Sequence, residues 1–259
     1  MSTPLLRQIS VVVAVIATIT VNILANALPI NGLDTGEISD RFSVYFVPAG
    51  YVFSIWGLIY LGLITYAVFQ ALPSQRDNPR IRAIDGPFLL ASLANIVWIF
   101  LWHYEQFPLS LVAMVVLLAS LIVIYLRLDI GRAVVPARER WLVHLVFSVY
   151  LGWITVATIA NVTTVLDYVG WGGWGISEET WLVIMLAVAL VVAALMAWTR
   201  SDVAYLLVLA WAFAGIAVKH AGTPVVANAA WIATVAVLAL VAFSLWRRWQ
   251  GPSTVPVPA

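Results

Sequence analysis

Long apolar runs, each closed off by charged or turn residues, recur at roughly 8–28, 50–71, 87–103, 109–127, 141–166, 180–198, 203–219 and 227–246. About 20 mostly apolar residues are needed for a helix to cross the hydrocarbon of a bilayer. The pattern therefore predicts eight membrane-spanning helices. The seventh is the shortest, with about 16 apolar residues between Asp202 and Lys219, just under the usual lower limit. The first run is longer than the apolar core of a secretory signal. It also lacks a small-x-small cleavage site before a soluble domain, so it reads as the first span.

Composition supports this reading. The chain is 63% hydrophobic and only 10% charged, where a soluble domain carries about a quarter charged residues. Too few charges are present to cover a water-facing surface, which predicts an all-α polytopic membrane protein. With no Cys, thiol catalysis, disulfides and Cys-ligated metals are excluded. A formal charge of +1 gives no reason to expect nucleic acid as a partner.

The basic residues orient the spans. With eight crossings, Arg7, Arg76, Arg80, Arg82, Arg127, Arg132, Arg138, Arg140, Arg200, Arg247 and Arg248 fall on one side, and only Arg41 and Lys219 on the other. Positive charge in short loops favours the cytoplasm, so both termini are expected there. The absence of an Arg- and Ser-rich transit segment favours a bacterial plasma membrane. The outer loops, 29–49 and 169–179, are acidic, Gly-bearing and aromatic, with Trp171 and Trp174 expected at the headgroup level. Residues 249–259 are Pro-rich and expected to be disordered.

Three spans carry aromatic stripes at helical spacing. Tyr150, Trp153, Ala157 and Asn161 are spaced +3, +4 and +4, Asn95, Trp98 and Trp102 +3 and +4, and Phe53, Trp56 and Tyr60 also +3 and +4. Each set shares one helix face. Any one stripe fits plain helix packing, and a lone Asn fits an interhelical hydrogen bond. Three together also fit the lining of an apolar ligand pocket, because bulky Trp prevents the close backbone approach that small residues allow.

These stripes resemble the TspO/translocator-protein family of tryptophan-rich sensory proteins. Pro48-Ala49-Gly50-Tyr51-Val52-Phe53-Ser54-Ile55-Trp56-Gly57-Leu58-Ile59-Tyr60 resembles the family's second-span motif. Ala94-Asn95-Ile96-Val97-Trp98-Ile99-Phe100-Leu101-Trp102-His103 resembles its third-span motif. Val149-Tyr150-Leu151-Gly152-Trp153, continuing to Asn161, resembles its fifth-span motif. The resemblance covers roughly residues 8–168 and departs in places. Phe53 to Trp56 is one residue shorter than the family spacing, Pro48 stands alone where the family has two prolines, and Val149 replaces a proline. The expected organisation is a five-helix bundle over 1–168, three additional transmembrane helices over 169–248, and the tail.

The resemblance implies a site for a flat apolar ligand with the first loop as its lid. Family ligands are porphyrins and other tetrapyrroles, and sterols in eukaryotic members. Implied roles are sensing, uptake or efflux, and light-assisted porphyrin breakdown is a further implied activity. The expected ligand-binding residues are Phe53, Trp56, Tyr60, Asn95, Trp98, Trp102, Tyr150, Trp153, Ala157 and Asn161. Arg41 is the expected rim cation for an acidic ligand, and the Asn95 and Asn161 amides could meet the ligand or each other. No cofactor is required, although a bound porphyrin or related pigment is compatible with the site. Expected partners are the lipid bilayer, an apolar small molecule, and a second copy or a larger membrane complex. A rival reading is an accessory subunit of a photosynthetic or respiratory complex, docked through the Ala-rich surface of the last three spans.

Other chemistry is thinly represented. His103, His144 and His220 could serve as axial ligands to a metallated ring. Lys219, the only lysine, lacks a mid-span Asp counter-ion for a Schiff base. No span carries a carboxylate near its middle. Asp167, Glu178 and Glu179 are expected to be solvated, and Asp129 and Glu139 read as part of a charged connector. No catalytic residues and no metal ligands are expected, and the chain does not read as an enzyme.

Overall fold

A computed structural model of the chain describes residues 3–28 and 30–251, and within them it is all-α. The helices are α1 (Thr3–Ala27), the short α2 (Thr35–Asp40), α3 (Ile55–Ala71), α4 (Pro79–His103), α5 (Phe107–Arg127), α6 (Ala137–Tyr168), α7 (Glu178–Arg200), α8 (Val203–Lys219) and α9 (Pro224–Trp249). A 3-10 turn, Gly50–Ser54, leads into α3. Seven of the described helices are long and apolar enough to cross a membrane. α8, at 17 residues, is about 26 Å long at 1.5 Å per residue. Most of α8 is buried in protein, so the span that hydropathy marked as short meets little lipid.

Boundaries move where capping outweighs hydropathy. α4 starts well before the apolar run at 87, because Asn78 accepts from the Arg80 amide and Pro79 occupies the first turn, where its missing N–H is not needed. α6 likewise begins before its apolar run and passes through a π-turn at Arg140–His144. α9 runs through Trp249, so this residue belongs to a helix and not to the expected disordered tail. Residues 252–259 of that tail lie outside the described residues.

Packing runs α3–α1–α4–α5–α6, then α6–α8–α9–α7, with α3 also against α6. The last three helices are therefore not hung beside the first five, since α8 is wedged against α6. Gly152 makes this possible, because a Cβ there would lie 3.1 Å from the Tyr205 carbonyl oxygen and 3.1 Å from Val208 Cβ. α7 and α9 meet through the small residues that made the C-terminal spans look like a docking surface. Ala189, Ala193 and Ala197 on α7, and Ala230 and Ala233 on α9, are all buried. Those Ala stripes are used within the molecule.

Ion pairs join residues only at a common end of the bundle. At the end holding both helical termini, Arg7 pairs with Asp85, Arg80 with Glu139, and Arg200 with Asp129. At the first-loop end, Arg41 pairs with Glu105 and Lys219 with Asp40. The two helical termini thus share one end of the bundle, opposite the first loop. Around the girth, Ile16, Leu61, Val112, Val191 and Ile232 are exposed apolar side chains among many others. Such an uninterrupted apolar belt belongs in hydrocarbon. The chain is an integral membrane protein.

Candidate functional site

α3, α4, α5 and α6 enclose a cavity near the first-loop end. Its volume is about 60 Å³, and its walls include Phe53, Trp56, Trp98, Trp102, Trp153, Ala157 and Asn161. The three stripes thus face a common interior, as the helical spacing predicts. Tyr60, Asn95 and Tyr150 do not line it. Each lies about one turn farther from the first loop than its lining neighbour, and together they form a layer beneath the cavity. There Tyr60 stacks on Trp56, with centroids 5.6 Å apart, and Tyr150 meets the same indole edge-on at 6.1 Å.

The indoles hold one another in place. Trp153 packs edge-to-face with both Phe53 (5.7 Å) and Trp56 (6.2 Å), and Trp98 stacks on Trp102 at 5.4 Å. Offset and T-shaped geometries of this kind add about 0.5–1.5 kcal/mol per pair beyond simple burial. Polar groups finish the wall. Trp98 Nε1 donates to Asn161 Oδ1 (3.1 Å), and Asn161 Nδ2 donates to Ser110 Oγ (3.2 Å). The two stripe amides do not meet. Asn95 Oδ1 instead accepts from Asn22 Nδ2 at 2.7 Å. Asn22 was missed, although an amide inside the first apolar run was a readable signal.

The first loop closes this site. Asp34 caps α2 in a reciprocal box with Glu37, and Thr35, Ser39, Val47 and Pro48 roof the cavity. Trp102 Nε1 donates to the Thr35 carbonyl oxygen at 3.2 Å. Both ring nitrogens of His103 are engaged, one with the Ile30 carbonyl oxygen (3.1 Å) and the other with Thr35 Oγ1 (3.1 Å). In this arrangement His103 fastens the lid and has no nitrogen left for axial ligation. The lid's own support comes from α8. Ala49 N donates to the Gly215 carbonyl oxygen (3.1 Å), and Trp211 Nε1 donates to the Val52 carbonyl oxygen (3.2 Å).

With the lid so placed the cavity is small. Drug-sized ligands occupy about 300–1,000 Å³, whereas a water needs about 10–15 Å³ of such space. The present volume suits a few waters and not a tetrapyrrole, so this arrangement is a closed one. One residue of its wall carries an unsatisfied group: Trp153 is 2% exposed, and its Nε1 has no hydrogen-bond partner among the described residues.

The remaining candidates fall elsewhere. Arg41 is held by Glu105, and Lys219 by Asp40. His144 sits at the far end of α6, 3.8 Å from Glu139, and His220 packs edge-on against Tyr45. Glu139 is not a solvated connector residue. Its side chain is 3% exposed and takes Arg80 of α4 at 2.8 Å, at the start of α6, which packs against α3. A carboxylate that hydropathy treated as a mere boundary is also buried. Asp202 is 3% exposed and accepts from Tyr125 Oη (2.8 Å), Ser148 Oγ (2.6 Å) and the Tyr205 amide (3.2 Å), tying α5, α6 and α8 together. No cluster of side chains suited to a metal ion occurs among the described residues.

A family model described as TSPO-like protein matches residues 8–243. That range runs past the first five spans, through α7 and α8 and along most of α9, so the likeness is not confined to residues 8–168. No curated protein and no solved structure matches the chain.

Proposed function

Because this chain belongs to the TSPO-like family, we propose that it is a membrane sensor or translocator for a flat apolar ligand of the porphyrin type. The ligand enters the aromatic cavity between α3, α4 and α6 when the first loop lifts. The observation that carries this reading is the lining that Phe53, Trp56, Trp98, Trp102 and Trp153 give one cavity, beside a buried Trp153 indole N–H that has no acceptor among the described residues. Leaving a buried donor unsatisfied costs about 1–3 kcal/mol. A ligand acceptor, such as a ring nitrogen or a carbonyl, would recover that energy, while Trp56, Trp98 and Phe53 supply faces for stacking.

Opening requires release of the polar ties at Thr35, Ile30, Asn31, Arg41 and Asp40. A ligand that binds only the open form shifts the population toward it. The eleven basic residues at the end of the bundle holding the termini support a cytoplasmic position for that end in a bacterial plasma membrane. The accessory-subunit reading has less support, since Ala189, Ala193 and Ala197 on α7 and Ala230 and Ala233 on α9 are already buried within the molecule.

The test is titration of the full chain in detergent with protoporphyrin IX, read by quenching of Trp fluorescence. Saturable quenching is expected, with affinity reduced about three- to tenfold in Trp153→Phe, the effect of one lost hydrogen bond. Unsaturable quenching in the wild type, or unchanged affinity in the variant, would overturn the reading.

A further inference from the structure

A second and larger cavity lies on the other side of the first loop's last segment. Its volume is about 400 Å³, and it is bounded by Ser43–Phe46, the end of α6 and the start of α7. That is ligand-sized, unlike the closed cavity beneath the lid. Phe46 faces this space and the adjacent Val47 faces the first, so the two are neighbours with separate linings.

Its chemistry differs from that of the first site. α6 runs toward the loop end and α7 runs away from it, so their contributions form layers. Nearest the loop stand Asp167 and Glu178, both exposed, and a turn or more deeper come Val162, Leu182 and Met185. Trp171 and Trp181 also line the cavity, with ring centroids 5.1 Å apart. The Trp181 ring is fixed by a hydrogen bond from its Nε1 to the Gly173 carbonyl oxygen at 2.9 Å. Gly173 has φ +62°, and a Cβ there would lie 3.2 Å from that nitrogen, so the glycine both makes the turn and admits the indole. Of the described residues, no Lys, Arg or His lines the cavity. The nearby Lys219 is paired with Asp40.

We propose that this cavity is a binding site for an amphiphilic cation, a compact apolar body carrying a positive charge. The body would fill the space against Leu182 and Met185, and the charge would sit between the indole faces and the carboxylates of Asp167 and Glu178. Indole is the best aromatic partner for a cation, and two carboxylates with no compensating base give the rim a negative field. The same field disfavours a dicarboxylic porphyrin, since like charges brought together in a site are penalised. This proposal is therefore independent of the porphyrin reading, and either can fail without the other.

Tetraphenylphosphonium and tetraphenylborate, nearly equal in size and opposite in charge, separate charge recognition from mere apolar uptake. Calorimetric titration of the full chain in neutral detergent is expected to show saturable tetraphenylphosphonium binding. Glu178→Gln should weaken it about five- to tenfold, the effect of one nearby opposite charge at the protein surface, and Asp167→Asn combined with it should weaken it further. Neither change should weaken tetraphenylborate. Both carboxylates are exposed, so these variants test the site without threatening the fold. Trp181→Phe, which keeps an aromatic face but is a poorer cation partner, is expected to lower tetraphenylphosphonium affinity as well. Unsaturable uptake, or unchanged tetraphenylphosphonium affinity in the double carboxamide variant, would overturn the proposal.

Discussion

Gly215 on α8 meets Val52 of the loop-to-α3 turn so closely that a Cβ at position 215 would lie 2.2 Å from Val52 Cγ2. Together with the Ala49–Gly215 backbone bond, this contact sets the height of Pro48 and Phe53 over the aromatic cavity. A helix outside the first five thus holds the roof of a site built from those five.

Gly215→Ala is expected to destabilise the chain by about 1–3 kcal/mol, the usual effect of overpacking, and to loosen the lid. Adding Val52→Ala should restore much of the loss by making room for the new methyl. Thermal unfolding followed by Trp fluorescence checks both. A single variant as stable as wild type would show that the turn yields freely.

Trp98 and Asn161 act as a pair. Asn161→Leu strands the Trp98 indole N–H, while Ser110 keeps its bond to the Phe107 carbonyl oxygen, and it should cost about 1–3 kcal/mol. Trp98→Phe combined with Asn161→Leu should cost less than the sum of the single changes. Additive losses in that double-mutant cycle would mean the bond contributes little.

Arg41 is occupied by Glu105, and both side chains are nearly half exposed. Such a pair contributes about 0–1 kcal/mol, so Glu105→Gln should leave stability almost unchanged. If Arg41 serves as a rim cation, the same change should raise affinity for a dicarboxylic porphyrin and Arg41→Ala should lower it. Wild-type affinity in Arg41→Ala would remove that role.

Asp202 gathers three helices. Hydrogen bonds to a charged group are worth about 1.5–3 kcal/mol each, and Asp202→Leu strands Tyr125 Oη and Ser148 Oγ at once. A loss of at least about 3 kcal/mol is expected, with Asp202→Asn intermediate. Denaturant or thermal midpoints in detergent measure it.

His220 gives one acid-sensitive contact. Burial, and next the Lys219 charge beside it, hold its pKa below the ordinary histidine value. The unfolded chain therefore takes up a proton first as pH falls. Stability is fully present above about pH 7 and declines below the usual value of about 6.5, toward the lowered folded value. His220→Phe, which keeps a ring against Tyr45, should flatten that part of the midpoint-versus-pH curve. An identical pH profile in the variant would assign the acid sensitivity elsewhere.

Several features were legible in the chain alone. Hydropathy located the seven helices long and apolar enough to cross a membrane and also the shorter helix between Asp202 and Lys219, because a bilayer demands a long apolar run of each span. Helical spacing placed Trp56, Trp98, Trp153 and Asn161 on one interior, since period 3.6 decides faces without knowledge of neighbours. It did not decide depth, so Tyr60, Asn95 and Tyr150 were grouped with residues that stand a turn nearer the loop. Buried charge was harder to read. Glu139 and Asp202 lie in polar stretches that look solvated, and only the packing of helix ends takes them out of water.

The sequence by itself determined what periodicity and solvent transfer can specify: an all-helical chain in a membrane, the sidedness of its charges, and a shared aromatic face on three helices. Only tertiary structure decided which partner each polar atom takes, that the Ala stripes face inward, that α8 supports the lid, and that the aromatic cavity is closed. Those outcomes depend on contacts between residues distant in the chain, such as Asn22 with Asn95 and Val52 with Gly215, and no local pattern encodes the distance between them.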